Sequence, residues 1–230
     1  SLAAAPARAG PPYVTDDPAP TDLGHWEIYN FANGVATPGV VAGEAGLDLN
    51  YGAFKDVQAT LVLPAAYLAG DGGAVGGGQI EAAAKLKLLH QDGFGLDVAV
   101  FPRAFIPTSG GRFGGDHVNL LLPIWVGRDI GKWQVFGGGG YQINPGPGAR
   151  NFWTGGLAVT RDVSERLNLG AEIYAHTPDA VDARRFVGVN VGAALRLTPH
   201  WSLLAAGGPG LQNARSEGQY DFYVALKADY

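Results

Sequence analysis

Tyr220-Asp221-Phe222-Tyr223-Val224-Ala225-Leu226-Lys227-Ala228-Asp229-Tyr230 is the stretch whose reading decides the fold. Counted back from Tyr230, every second residue is apolar or aromatic: Tyr230, Ala228, Leu226, Val224, Phe222 and Tyr220. The intervening set is Asp229, Lys227, Ala225, Tyr223 and Asp221. A strand sends alternate side chains to opposite faces. One face of this strand is therefore apolar from end to end, with a tyrosine at each limit, and the other carries charge. Two environments accept such a strand. One is a half-buried soluble sheet with the apolar face inward. The other is a membrane barrel with the apolar face toward lipid and the charges toward the lumen.

Composition narrows the choice. The 230 residues include 36 Gly and 15 Pro, yet 47% are hydrophobic, which is not a disordered composition. Charged residues are only 16%, against roughly 25% in soluble domains. A net charge of −5 and the lack of a basic tract exclude nucleic acid as an expected partner. With no Cys, disulfide scaffolds and thiolate metal sites are excluded. The longest apolar stretch, Leu120-Leu121-Leu122-Pro123-Ile124-Trp125-Val126, is far short of the ~18 residues of a membrane helix. A membrane reading therefore requires a closed barrel, the other architecture that satisfies the backbone in lipid. The small-residue start, Ser1-Leu2-Ala3-Ala4-Ala5-Pro6-Ala7-Arg8-Ala9, fits either the remnant of a signal-peptide junction or a disordered tail.

Residues 1–23 form a Pro-rich stretch without periodicity, an irregular arm that is also a candidate plug for a lumen. From His25 to Tyr230 the chain repeats one theme, a segment of alternating polarity followed by a turn. Twelve such segments are read, near 25–33, 44–52, 57–67, 79–89, 94–105, 117–127, 133–143, 152–161, 166–176, 185–197, 201–208 and 220–230. The fourth is rich in Ala, Glu, Lys and Leu, all good helix formers. As a helix it mixes Lys87 into its apolar stripe, whereas as a strand its polar and apolar sets separate cleanly. Pro64, Pro102 and Pro123 fall inside or near strand ends and predict bulges or breaks.

The connections alternate. Those after even-numbered segments are compact, as in Phe54-Lys55-Asp56 and Thr198-Pro199-His200. Those after odd-numbered segments are expected to be longer, as in Gly70 to Gly78, Pro107 to Gly115, Asn144 to Arg150 and Gly207 to Gly218. Short turns at one end and longer loops at the other are the asymmetry of an outer-membrane barrel. Trp26, Tyr51, Trp133, Trp201 and Tyr230 fall at the short-turn ends, and Tyr67, Tyr141, Trp153 and Tyr220 at the long-loop ends. Trp and Tyr favour membrane interfaces because they are amphipathic. A soluble sandwich has no reason to sort them so.

With the apolar face in lipid, Glu27, Glu44, Asp48, Glu81, Lys85, Lys87, Asp97, Arg103, Glu172, Arg196, Asp221 and Lys227 point inward. Glu81, Lys85, Asp97, Arg103, Glu172 and Arg196 lie near mid-strand and are the candidate lumen-lining, selectivity-setting groups. They either pair across strands and stiffen the wall or line a polar conduit. Twelve strands at ~4.8 Å spacing and ~40° tilt give a backbone radius of about 12 Å, hence a narrow lumen. Signals for enzymatic chemistry are poor: the chain lacks a Walker loop, G-x-S-x-G and H-E-x-x-H. Ser109 near Asp116 and His117 leaves a hydrolytic trio as a minor alternative. Asp16 and Asp17 are read as turn residues anchoring the arm, with cation binding as the alternative. No cofactor or metal is expected.

Two resemblances add to this reading. The Tyr220–Tyr230 strand, with its closing aromatic, resembles the last strand of bacterial outer-membrane barrels. There it serves as the assembly signal, which implies that Tyr220, Phe222, Val224, Leu226 and Tyr230 address the barrel-assembly machinery. Gly10-Pro11-Pro12-Tyr13-Val14-Thr15-Asp16-Asp17-Pro18, His25-Trp26-Glu27-Ile28-Tyr29 and Gly137-Gly138-Gly139-Gly140-Tyr141-Gln142-Ile143-Asn144-Pro145 look like a family of proteobacterial outer-membrane proteins. That family is labelled as transporters or as outer-membrane proteins of the phenol meta-cleavage pathway. The resemblance implies a barrel and passage of small compounds, aromatic ones among them. The expected protein is thus an all-β, antiparallel up-and-down transmembrane barrel over residues 24–230, preceded by the arm. Its expected partners are outer-membrane lipid and a small solute that crosses by passive diffusion. The alternatives are a closed barrel with a structural or partner-binding role and, further off, a lipid hydrolase.

Overall fold

The period-two segments do form strands, and backbone pairing closes them into a barrel. The computed structural model describes residues 12–70, 72–108, 113 and 116–230. The first part of the arm and Ser109 lie outside the described residues. The strands are β1 (Trp26–Thr37), β2 (Val40–Phe54), β3 (Val57–Gly70), β4 (Ala74–Gly77 continued by Gln79–Leu89), β5 (Asp97–Val100 continued by Arg103–Pro107) and β6 (Asn119–Ile130). They continue as β7 (Trp133–Ile143), β8 (Phe152–Asp162), β9 (Leu167–His176), β10 (Phe186–Arg196), β11 (Trp201–Gln212) and β12 (Tyr220–Asp229). Each pairs antiparallel with the next, and β12 returns to β1 with Glu27 opposite Asp229 and Tyr29 opposite Lys227. Closure leaves no open sheet edge, so every ladder finds its partners within the barrel. Residues 79–89 are strand, as the clean separation of their two faces requires.

The two faces are inverted relative to a soluble protein. Outward are Leu122, Ile124, Leu157, Ile173, Val191, Val224 and Leu226, all exposed. Inward and buried are Glu27, Glu81, Lys85, Glu172 and Lys227. Among the described residues no helix is long and apolar enough to cross a membrane. Exposing a continuous apolar belt while burying charge is stable only where the outside is hydrocarbon.

The prolines behave differently from one another. Pro102 splits β5, and the bond from Phe101 N to Pro123 O across the gap is 3.2 Å. Pro123, opposite that gap, leaves β6 unbroken and paired with Gly140, whereas Pro102 faces Ala84, whose N–H reaches its carbonyl at 3.2 Å. Pro64 stays in the ladder opposite Gly46. There the break is displaced onto its neighbour at Gly78, whose N–H still reaches Pro64 O at 3.1 Å. The register shifts lie elsewhere, at Gly52/Phe54, Lys87/Leu89 and Val187/Gly188.

Several expected long loops are shorter than the Gly content suggests. Between Gly70 and Gly78 the ladder resumes at Ala74. Residues 207–212 belong to β11, with Gly207 opposite Phe222 and Pro209 opposite Tyr220. The first hairpin turns on Pro38-Gly39 alone, with Gly39 at φ 81°, a conformation that favours glycine. On the opposite end the connection from β4 to β5 contains a single helical turn, Gln91–Phe94.

Candidate functional site

The described part of the arm does not lie on the surface. From Leu23, which bridges in parallel to Gly52 on β2, it runs back into the barrel and crosses from wall to wall. Thr21 donates its backbone N–H (2.8 Å) and hydroxyl (3.0 Å) to Gln58 Oε1 on β3. Asp16 meets Lys85 on β4 at 3.0 Å, and Ala19 O accepts from the same ammonium at 3.4 Å. Thr15 and Val14 donate their backbone N–H groups to Glu172 on β9, at 2.8 Å to Oε2 and 2.9 Å to Oε1. Tyr13 packs near Phe136 on β7, with ring centroids 6.4 Å apart. Turn bonds shape the segment: Asp17 N donates to Asp16 Oδ1 at 2.8 Å, and Ala19 N to Asp17 Oδ1 at 2.7 Å.

Glycine makes room for it. A Cβ at Gly127 would stand 2.8 Å from Pro18 Cδ, and one at Gly156 would overlap Thr15 Oγ1. At Gly170 it would stand 2.5 Å from the Tyr13 hydroxyl, and at Gly192 2.9 Å from its ring. These four positions point inward on β6, β8, β9 and β10. A strand glycine commonly marks a close backbone approach, and here the approaching chain is the arm.

Of the groups expected near mid-strand, Asp97 begins its strand and Arg196 ends its own, both at the short-turn end, and the set falls into distinct roles. Arg103 binds Glu81 in a fork, Nε to Oε1 and Nη2 to Oε2, both 2.7 Å. Lys85 sits 4.9 Å over the Phe101 ring while it holds Asp16. Asp97 pairs with Lys87 at 2.9 Å. Glu172 also accepts from Asn190 Nδ2 at 2.9 Å. Arg196 is far from these groups and lines the short-turn end of the lumen with Arg166. Lys227 bridges Glu27 (2.9 Å) and Asp229 (2.8 Å).

The arm leaves two chambers. One, about 440 Å³, opens at the short-turn end, and the other, about 420 Å³, faces the long loops. Pro12 and Tyr13 line both.

On the outer surface Trp26 packs on Tyr51 (4.7 Å between centroids) and Tyr141 on Trp153 (5.0 Å). His200 stacks on Tyr230 at 6.0 Å, and Trp133 and Trp201 are exposed at the same end. At the long-loop end Tyr67 donates its hydroxyl to Asn33 O at 2.8 Å, and Tyr220 is exposed. Phe222, Val224 and Leu226 lie on the outward face of β12. His117 and Asp116 sit in the loop after β5.

Trp125, inside the longest apolar stretch, is inward and buried, its indole N–H without a partner among the described residues. Parity with Ile124 and Val126 places it there. The arm's contacts carry no such signal, since Thr15 and Glu172 are 157 residues apart.

No protein-family model and no curated protein matches the chain. Solved structures do. An outer membrane channel from Pseudomonas putida F1 superposes with a TM-score of 0.78 over 93% of this chain and 98% of its own, at 14% identity. The NanC porin superposes with a TM-score of 0.63 over 88% and 98%, at 8% identity. At such identities the likeness concerns the fold. Fold and lipid-facing surface together are those of a bacterial outer-membrane β-barrel.

Proposed function

We propose that the protein is a diffusion channel for small molecules across the outer membrane, held shut or narrowed by its own arm. The observation that carries this reading is the pair of chambers on either side of residues 12–17. The wall is closed all round, so a solute has one route, along the axis, and the arm lies across it. The structural likeness to an outer membrane channel and to a porin supports the same reading.

Selection follows from size and charge. The pairs Glu81–Arg103, within the strands, and Lys87–Asp97, at the short-turn end, neutralise each other, so they shape the bore more than they charge it. Arg196 has no carboxylate within ion-pair distance among the described residues and is the group best placed to act on a passing anion.

The test is conductance in planar bilayers, for the full chain and for a chain lacking residues 1–22. The truncated barrel is expected to conduct several-fold more. Silence from both would sink the proposal, and a stoichiometric co-purifying protein would then favour a partner-binding barrel.

A further inference from the structure

The chamber facing the long loops has an imbalance of charge that the wall does not resolve. Lys85 and Arg103 are its cations, and both are committed, to Asp16 at 3.0 Å and to Glu81 at 2.7 Å. Glu27, at its floor, is held by Lys227 at 2.9 Å. Glu44, Asp48 and Asp221 also line this chamber. None of these three has a cationic side chain within ion-pair distance among the described residues.

Hydrogen bonding gives a second, independent mark. Asn190 is 5% exposed. Its amide group donates to Glu172 Oε1 at 2.9 Å and to Asp221 Oδ2 at 3.1 Å. Two carboxylates therefore fix the orientation of the amide, and its Oδ1 is left buried without a partner among the described residues. Asp221 Oδ2 also accepts from the Tyr174 hydroxyl at 2.7 Å, while Asp221 Oδ1 is buried and unpartnered. The Tyr223 hydroxyl, two residues along the same inner face, is likewise buried and unpartnered. Asn190, Asp221 and Tyr223 all line the chamber. What the wall leaves over among the described residues is two acceptors and a hydroxyl, beside carboxyl groups without a cationic partner. A buried acceptor without a donor is costly, and a visiting donor relieves that cost.

The apolar part of the wall adds a preference. Phe31 and Tyr223 lie nearly parallel, 6.2 Å apart at 6°. Phe101 and Phe105 are already covered by Lys85 and Arg103 at 4.9 to 5.5 Å. No cation lies over the Phe31 or Tyr223 ring among the described residues, so that pair is an aromatic surface available to a ligand cation. A chamber of about 420 Å³ lies within the usual range of small-molecule sites.

We propose that this chamber binds a small organic ammonium ion, its N–H groups directed at Asp221 Oδ1, Asn190 Oδ1 and the Tyr223 hydroxyl, its apolar body against Phe31 and Tyr223. The inference deepens the channel reading, since such an ion would be the solute that dwells in the bore. Binding is nevertheless measured apart from passage.

The experiment is calorimetric titration of the full-length barrel in detergent at neutral pH with three probes of one shape: phenethylamine, phenethyl alcohol and phenylacetate. The amine is expected to bind saturably and about tenfold or more tightly than the alcohol, with no binding of the anion. Asp221→Asn is expected to weaken the amine about tenfold, and Tyr223→Phe a few-fold, with heat-modifiable gel migration confirming that each variant is folded. Equal binding of amine and alcohol would reduce the chamber to an apolar pocket and overturn the proposal. So would no amine binding by the wild type, or unchanged binding in a folded Tyr223→Phe and Asp221→Asn. Amine binding without any conductance would overturn the channel and keep the site, and conductance without an amine preference would do the reverse.

Discussion

The two sides of the lumen hold the arm by different physics. The wall of β3 and β4 offers long polar side chains, Gln58 and Lys85, that reach out to Thr21, Asp16 and Ala19. The wall from β6 to β10 offers mostly absence, the glycines at 127, 156, 170 and 192 that let Pro18, Thr15 and Tyr13 lie against the backbone. Glu172 is the exception on that side, a carboxylate that caps the N–H groups of Val14 and Thr15. A charge holds through a bond that one substitution removes. A seat of glycines holds through shape, and loses a little at each position filled.

The largest effect is therefore expected at Lys85. Its side chain is 1% exposed and that of Asp16 15%. Removing one partner of a buried ion pair costs about 3–5 kcal/mol. Asp16 escapes that cost by leaving the lumen, so the loss falls on docking of the arm and spares the barrel. The chain has no Cys, which makes Thr15→Cys a clean reporter. Thr15 is 3% exposed and its hydroxyl has no partner among the described residues, so the reporter itself removes no hydrogen bond seen there. Lys85→Met is expected to speed maleimide labelling of that cysteine by about two hundredfold or more. Adding Asp16→Asn should return much of the protection. An unchanged labelling rate in Lys85→Met would mean that the charged wall does not hold the arm.

Glu172→Gln comes next. It keeps one acceptor, turns an amide group toward the other N–H, and gives up the charge that strengthens both bonds. A loss of about 2 kcal/mol corresponds to roughly thirtyfold faster labelling. Equal labelling of Glu172→Gln and the parent would leave the glycine seat as the whole of the hold on the β6 to β10 side.

The sequence told these two walls apart only in part. Alternation from Trp26 to Tyr230 located each strand to within a few residues, because period two is a local property of any strand with one apolar face. It also sorted Glu81, Lys85 and Glu172 inward. It did not say that Lys85 would choose Asp16 over a neighbouring strand, because that pairing depends on where an aperiodic segment comes to rest. The inner glycines misled for a related reason. Strand glycines near 207–210 read as loop, whereas they belong to β11. At 127, 156, 170 and 192 the glycine is informative, but only once the approaching chain is known. Pro102 was legible as a break. Pro64 was not legible as an unbroken ladder position, since its compensation sits on another strand at Gly78.

The glycine wall is tested by filling it. Gly170→Ala places a methyl group 2.5 Å from the Tyr13 hydroxyl and 2.7 Å from Thr160 Cγ2. Overpacking costs about 1–3 kcal/mol, and the low end is expected because the hydroxyl tip gives way. Labelling of the reporter should rise about fivefold, and Tyr13→Phe in the same chain should cancel most of that rise. If Gly170→Ala matched Lys85→Met in size, the distinction between the two walls would fail.

The smallest effect at neutral pH is expected from Tyr13→Phe alone, and it becomes visible only as the bath is made alkaline. Among the described residues the Tyr13 hydroxyl is buried without a partner, so its removal leaves the ring near Phe136 and costs docking less than about 1 kcal/mol. In the docked arm, burial, and then the negative charge of Glu172, raise the Tyr13 ionisation well above its ordinary value of 10.0. The released arm carries a tyrosine of ordinary acidity. The neutral phenol is thus the form compatible with docking, and docking is fully retained below pH 10 and weakens as pH rises past it. Conductance of the wild-type barrel should accordingly climb more steeply above about pH 10 than that of Tyr13→Phe. A wild-type curve no steeper than that of the variant would show that Tyr13 does not sit in the glycine seat when the channel is closed.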